Sequence, residues 1–544
     1  MTLSMTASTR PTTARVERDV EARTFWLAIG AVVVAAGVFL WHQLMAWPPH
    51  EDETLALFVG RDSLLGVVEH VTRDRGGAPL HFLVAFGVAH SGLGLGGLRA
   101  MSAAFALASL PLVAILGARL LPRLTALVAT TLFAASWLFL FHGIYGRMYS
   151  LFLFLSLLAT LALLHALGRG GRRAWALWVA AGLGCVAAHP YAVLVLAGHG
   201  LAVLLLRRDR LREAVLAGTA LLVLGIPFWI TDLVLAGRFD VGVGGGGTKL
   251  GSPHSVARYL WASAQDGTAG WAGIAPVLGA LAVVGIARAP REARRLLLAM
   301  VVAPVAAFLS AKLGGATAPE SRHLIFLAPF YSLAVAQGLV TLTRRARLVL
   351  PILVFAVVIA EVSWAWHRTA PLFAWEPDQR QAARAAAERW LAETGSGDDV
   401  LFGYDPLFLG AWERSGSFSR TVVPRADATL ALRALEREIP VGRGVWILDA
   451  SKRNNTRARL EIERVTPTPT LLFEARDFGP FLVIRTRGAT LTPEAFLYAS
   501  ARAMLVGRSL GIGDTDVNLA TIEQAARVLR GYQSSLREES PGSR

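Results

Sequence analysis

Cysteine is almost missing from this chain: Cys185 is the single one in 544 residues, and it lies inside an apolar run. One thiol excludes an internal disulfide framework and a cysteine-based metal centre. A nucleotide fingerprint is missing too. The stretch 242–247 is glycine-rich and precedes Thr248-Lys249, but it lacks the G-x-x-x-x-G-K-[ST] order of a phosphate loop and reads as a linker or an external lid. No helical H-E-x-x-H spacing is present and no internal repeat is visible. Charge is scarce as well, 17% of residues against 54% hydrophobic, which is too little polar surface for a soluble chain of this size.

What is present is a series of apolar runs, many reaching the roughly 20 residues that cross a bilayer. The formal charge of +15 falls largely in short arginine clusters between those runs. That is the distribution of a positive-inside membrane protein, whereas a nucleic-acid binder concentrates its basic residues on one face of a soluble domain. No nucleic-acid partner is expected.

Arginine placement gives a topology. Residues 1–24 form a polar, arginine-bearing cytoplasmic tail. The apolar run at 25–47 is long and has no small-residue cleavage site, so it reads as a retained first helix and not a signal peptide. Clusters at Arg119/Arg123, Arg169/Arg172/Arg173, Arg207/Arg208/Arg210/Arg212, Arg288/Arg291/Arg294/Arg295 and Arg344/Arg345/Arg347 are all cytoplasmic if the spans lie at 25–47, 98–118, 124–142, 147–168, 174–189, 191–206, 214–236, 271–287, 296–313, 323–342 and 348–367. The apolar stretch 78–96 must then be an interfacial or re-entrant segment. The expected fold class is an α-helical polytopic membrane protein of about eleven transmembrane helices. Residues 25–367 form the membrane domain, with a first extracytoplasmic loop at 48–97. Residues 368–544 form a small extracytoplasmic α/β domain with a disordered tail. Within that domain the patterns predict an amphipathic helix at Gln379–Glu393, strands at 400–402, 445–448 and 480–484, and helices near 493–507 and 517–535.

Ionisable residues gather at one side of this topology. His50-Glu51-Asp52-Glu53 follows the first span directly. Asp232, Lys312 and Glu361 fall near the outer ends of their spans, Arg147 and Tyr149 open one, Arg322 and His323 open another, and His189 sits in a tight outer turn. Charge at membrane depth is costly, so such a gathering marks a candidate polar cavity. His165 and His199 read instead as packing or helix–helix hydrogen bonds.

Several segments carry a resemblance. His50-Glu51-Asp52-Glu53-Thr54-Leu55-Ala56-Leu57 resembles the acidic first-loop motif of GT-C type glycosyltransferases, the group holding protein O-mannosyltransferases and lipid A aminoarabinose transferases. Gly77-Ala78-Pro79-Leu80-His81-Phe82 resembles its proline-containing segment, with Ala78 replacing one proline and glycines where that family often has His, Lys or Asn. Tyr145-Gly146-Arg147-Met148-Tyr149 resembles its Arg-x-Tyr motif. Ala188-His189-Pro190-Tyr191 resembles a His-Tyr outer turn with an inserted proline, and Ser321-Arg322-His323-Leu324 resembles an Arg-Tyr-Leu opening with histidine for tyrosine.

The resemblance covers roughly residues 25–367. It implies a cell-membrane enzyme that moves a sugar from a polyprenyl-phosphate donor to a lipid, glycan or protein acceptor, with inversion. It implies a first-loop carboxylate as general base. Asp52 is the first candidate and Glu53 the second, with Glu51 leaving the register open by one residue. Arg147 and Arg322 are candidates for the donor phosphate, with Tyr149, His189, Lys312 and His81 as further substrate-binding candidates. The acids and His50 could hold a divalent metal, but without helical ligand spacing none is expected, and no other cofactor is implied. The alternative is a transporter or flippase of a lipid-linked substrate, which calls for repeated halves or broken helices. A non-catalytic binding protein would account for residues 369–544 but gives the first-loop acids no task.

Overall fold

The computed structural model of the protein describes residues 11–240, 252–312, 320–346, 348–416, 422–423, 442–449 and 473–487. The expected helices near 493–507 and 517–535, the loop at 242–247 and the side chain of Lys312 lie outside the described parts.

The chain is mainly helical. A long α1 (Pro11–Gln43) leads to a cluster of short elements: α2 (Glu51–Gly60), α3 (Leu64–Glu69), a π-helical turn at His70–Arg75, and α4 (Pro79–His90). Next come α5 (Gly94–Leu120), α6 (Arg123–Ala135), α7 (Trp137–Ile144), α8 (Tyr149–Arg169), α9 (Arg172–Ala188), α10 (Ala192–Leu206), α11 (Leu211–Leu224) and α12 (Ile226–Asp240). The membrane part closes with α13 (Pro253–Asp266), α14 (Ala275–Arg288), α15 (Arg291–Lys312), a 3-10 segment at Ser321–Leu327, α16 (Ala328–Leu342) and α17 (Val349–Arg368).

Five of these helices are long and apolar enough to cross a membrane among the described residues, and seven spans result if each bent pair counts as one. Eleven spans are not reached by this measure. Helices such as α10 and α14, with 15 and 14 residues, extend about 20 Å at 1.5 Å per residue, short of a ~30 Å hydrocarbon core. The segment at 78–96 becomes α4, whose 12 residues reach about 18 Å, again too short to span. Large apolar side chains such as Leu27, Val38 and Trp41 are exposed on α1, as contact with lipid requires.

Two features of the bundle position the site. The α6–α7 pair bends by 56° at Ser136, whose extended backbone stops α6 and whose hydroxyl accepts the Phe139 N–H to start α7. The bend aims α7 so that Tyr145 follows it toward the first loop. Further along, α14 and α16 meet through glycine on both sides. A Cβ on Gly285 would fall on the Ala334 carbonyl, and one on Gly338 on the Leu281 carbonyl. Small residues let apolar helices touch backbone to backbone where lipid offers no hydrophobic driving force.

The C-terminal region supplies α18 (Asp378–Thr394), α19 (Pro406–Ser415) and a five-stranded sheet: β1 (Val400–Phe402), β2 (Val422–Val423), β3 (Gly444–Asp449), β4 (Phe473–Asp477) and β5 (Phe481–Thr486), in the order β2-β1-β3-β5-β4. β1 runs parallel to β2 and β3, while β5 lies antiparallel to β3 and β4, with Trp446 opposite Ile484. Every residue of β1 and β5 is buried, and β1 and the first four residues of β5 are apolar without alternation. The expected strands are present here, and the expected helix appears as α18. α19, the short β2 and the charged β4 went unforeseen. β4 is an edge strand, and its sequence Phe-Glu-Ala-Arg-Asp has little apolar content to signal it.

Part of this region packs against the first loop among the described residues. Leu57, Phe58, Ala85 and Val88 of the first loop share one apolar cluster with Trp390, Leu401, Leu407, Phe408, Val445 and Val483. Arg61 adds an ion pair to Glu413 at 2.9 Å and lies 4.9 Å over the Trp412 ring. The sheet and its helices are therefore fastened to α2 and α4.

Candidate active site

The His50–Glu53 segment folds as the N-terminus of α2. His50 is the cap: its Nδ1 accepts the Asp52 N–H at 3.1 Å, and the Glu53 Oε2 accepts the His50 N–H at 3.1 Å, which closes a reciprocal capping box. Carboxylates in a first turn also face the positive end of the helix dipole. Since successive helical residues turn by about 100°, the three acids point in three directions.

Glu51 faces the C-terminal region, where its Oε1 accepts the Tyr404 N–H at 3.3 Å. Glu53 turns inward and is fully buried. Its Oε1 accepts from Arg99 Nε at 2.8 Å and from the Gly146 N–H at 2.7 Å, and its Oε2 accepts from Arg99 Nη2 at 2.7 Å. Arg99 spends its remaining donors on the carbonyls of Leu44, Trp47 and Pro48. This pair ties the exit of α1, the start of α2, the first turns of α5 and the α7–α8 turn into one block.

Asp52 alone faces the polar cluster. Tyr145 donates its hydroxyl to Asp52 Oδ2 at 2.9 Å, Arg147 Nε lies 3.8 Å from the same oxygen, and the carboxylate stays 31% exposed. His50 Nδ1 is 3.9 Å away and 3.1 Å from the Tyr145 hydroxyl. Burial works to raise the Asp52 pKa. Arg147, His50, Arg322 and the Tyr145 hydroxyl outweigh it and hold the carboxyl well below the usual carboxylate range. Tyr145, in the turn between α7 and α8, is pushed up by burial and by Asp52, so it remains a donor.

Arg147 and Arg322 face this carboxylate with capacity to spare. Their Nε atoms are buried without a hydrogen bond. Arg322 donates to Glu320 at 2.6 Å and lies 5.4 Å over the Tyr149 ring. Its backbone is fixed from behind: Ser321 donates to the buried Asp266 at 2.6 Å, and Asp266 also takes two bonds from Arg368 at 2.9 and 3.0 Å and one from Trp364.

An aromatic shelf lies behind the arginines. His189 stacks on Phe152 at 4.8 Å and stands 5.5 Å from Tyr149, and Tyr191 stacks on His323 at 4.9 Å. Burial and then Arg147 push the His189 imidazole down to about 3, so it is neutral near pH 7. Beside Arg147, a cavity of about 90 Å³ is lined by Arg75, His81, Arg147 and the Gly76–Ala78 turn. His81 is buried and also held down to about 3, by burial first and then by Arg147. Gly76, Gly77 and Ala78 all have positive φ, and a Cβ on Gly76 would strike the Leu235 backbone. This left-handed turn accounts for glycines where the resembled motif has other residues.

The structure thus brings together Asp52, Arg147, Tyr149, His189, Arg322 and His81. Glu53 lies next door but faces away, and Asp232 and Glu361 bond to none of the cluster. His199 bridges helices, meeting Thr160 at 3.1 Å and accepting from Trp178 at 3.2 Å. Arg99, Tyr145 and Asp266 were missed. Arg99 could have been flagged as a lone arginine early in an apolar helix, and Tyr145 from its place in the Tyr-Gly-Arg motif. Asp266 gave no signal, since its partners come from segments 55 to 102 residues away. No group of three His, Cys, Asp or Glu suited to a metal occurs among the described residues.

No family model matches the chain and no curated protein matches it. Solved structures do. The crystal structure of ArnT from Cupriavidus metallidurans in the apo state aligns with a TM-score of 0.52 at 15% identity, covering 85% of this chain and 98% of that one. The same protein bound to undecaprenyl phosphate aligns at 0.47 and 14% identity, over 84% and 97% of the two chains. An Archaeoglobus fulgidus oligosaccharyltransferase tethered with an acceptor peptide aligns at 0.46 and 12%, over 78% and 70%. The apo ArnT alignment gives this chain a GT-C fold, in agreement with the sequence expectation.

Proposed function

We propose that the chain is a membrane glycosyltransferase that moves a sugar from a polyprenyl-phosphate donor to an acceptor hydroxyl, with inversion and with Asp52 as general base. The observation that carries this reading is the orientation of the first-loop acids: Asp52 is the one that faces two arginines with unfilled donors while its carboxylate remains solvent-accessible.

In this reading the donor's lipid tail stays in the bilayer and its phosphate lies against Arg147 and Arg322, whose planar guanidinium groups present paired donors to phosphate oxygens. Asp52 takes the proton from the acceptor hydroxyl as its oxygen attacks the anomeric carbon from the face opposite the phosphate. The bond from that carbon to the phosphate oxygen breaks, and the phosphate leaves with the electron pair, stabilised by the same arginines. A resting Asp52 is a weak base because those cations lower its pKa. A bound phosphate offsets their charge and moves the carboxylate toward a useful basicity. Glu53, with both oxygens filled, holds the loop in place. Tyr149 and His189 form a neutral aromatic wall for the sugar. The site end of the bundle and the C-terminal region would face the extracytoplasmic side, with residues 1–24 in the cytoplasm.

The bends in the α6–α7 and Arg208–Ala236 pairs are breaks of the kind a transporter uses, so the decisive experiment separates the two. Purified protein is incubated with a panel of radiolabelled polyprenyl-phosphate sugars and membrane extract. Label moving into lipid, glycan or protein supports transfer. Label that crosses proteoliposome membranes while remaining on the polyprenyl phosphate rejects it.

A further inference from the structure

A second cavity among the described residues lies away from the Asp52 cluster. It measures about 600 Å³ and is lined by Arg288 at the end of α14, by Thr341 and Leu342 at the end of α16, by Arg344 and Arg345 just beyond, and by Val284 and Ala287. Both helices start at the site end. α16 follows Ser321 and Arg322 directly, and α14 begins after Trp271, which is held by Ala360 and Ser363 of α17 within two turns of Arg368 and its Asp266 partner. At 1.5 Å per residue the cavity lies about 20 Å farther along the bundle than the Asp52 cluster.

Its chemistry is one-sided. Arg288, Arg344 and Arg345 are exposed and make no ion pair or side-chain hydrogen bond with described residues. Arg210, by contrast, reaches Asp209 and Glu213 at the same sort of helix end. Three guanidinium groups around one hollow repel each other unless an anion sits between them. The remaining wall is apolar: Leu342 is 63% exposed, and Thr341 turns its hydroxyl back to the Gln337 carbonyl at 2.6 Å. One turn before Arg288, the Gly285 and Gly338 contact holds α14 against α16 backbone to backbone.

We propose that this cavity binds the headgroup of an anionic glycerophospholipid, with the phosphate among Arg288, Arg344 and Arg345 and the acyl chains leaving past Leu342 and Val284. Basic hollows between membrane helices with an apolar exit suit this ligand, since each cation beside the headgroup adds to its attraction. The site is separate from the transfer chemistry and stands whether or not that reading holds.

The test uses the full-length protein in nanodiscs of phosphatidylcholine doped with phosphatidylglycerol, followed by native mass spectrometry after detergent extraction. Wild type should retain one phosphatidylglycerol. The Arg288→Gln/Arg344→Gln/Arg345→Gln protein should lose at least tenfold of that retention. These arginines also bear on topology, so a second variant, Ala287→Trp, fills the same hollow without removing charge and should lose retention too. Arg123→Gln/Arg172→Gln, outside the cavity, should keep it. Equal retention by wild type and both cavity variants overturns the proposal. So does displacement of the lipid by millimolar inorganic phosphate, which would make the site one for a free anion.

Discussion

Arg99 grips Glu53 with two of its nitrogens at 2.8 and 2.7 Å, and neither side chain is reached by solvent. The grip sets Glu53 apart from its neighbouring acids. A carboxylate filled by a guanidinium and a backbone N–H has no lone pair facing a substrate, while Asp52, one residue earlier, has an open one.

Replacing each acid should therefore give different failures. Asp52→Asn should purify as a monodisperse protein and lose transfer by about a hundredfold or more, the range for a general base. Glu53→Gln removes the charge that compensates a buried arginine and should cost about 3 kcal/mol or more of stability, read as a lowered melting temperature. A Glu53→Gln protein with wild-type melting and no transfer would reassign the base.

Tyr145→Phe removes the hydroxyl that holds Asp52 Oδ2. A hydrogen bond to a charged group contributes about 1.5–3 kcal/mol, so kcat should fall about tenfold. The acid limb of the pH–rate profile should move up, since one of the influences lowering the Asp52 pKa is gone. An unmoved limb in the Phe variant would mean that the contact has no effect on the base.

The depressed Asp52 pKa also sets a stability window. A carboxylate whose folded pKa lies below its unfolded value stabilises the fold fully above the unfolded pKa, about 3.9, and loses that contribution as pH falls through the folded value. The melting difference between wild type and Asp52→Asn should thus be flat from about pH 5 to 8 and shrink only in stronger acid. A slope near neutrality would contradict the Arg147 and Tyr145 contacts.

Arg322→Ala should raise the donor KM with little change in acceptor KM. Asp266→Asn, acting through Ser321, should raise the donor KM in the same direction by a smaller factor. It would leave Arg147-dependent binding in place, so the double variant with Arg147→Ala should be additive. Unchanged donor kinetics in both single variants would reduce Arg322 to an interfacial arginine.

Gly76→Ala places a Cβ where φ is +67° and where it would meet Leu235 at backbone distance. The loss should exceed about 1 kcal/mol and should open the contact between the π-helical turn and α12, seen as faster hydrogen exchange at Gly77. Gly92→Ala, also at positive φ but with open space around it, is the control and should cost less.

Apolar content and arginine spacing were enough to identify a membrane bundle, since bilayer cost and charge placement act locally along the chain. The acidic loop, Arg147 and Arg322 were legible for the same reason: charge at a span end stands out against its neighbours. The eleven-span count was less secure, because an apolar run does not reveal where a bend or a short helix interrupts it. Only the tertiary structure decided among Glu51, Asp52 and Glu53. Adjacent carboxylates are alike in sequence, and which of them faces the arginines, which is sealed and which reaches the C-terminal region depends on the turn of a helix and on partners such as Arg99, Tyr145 and Tyr404. Those lie 46, 93 and 353 residues from the acids they bind, beyond what any local pattern encodes.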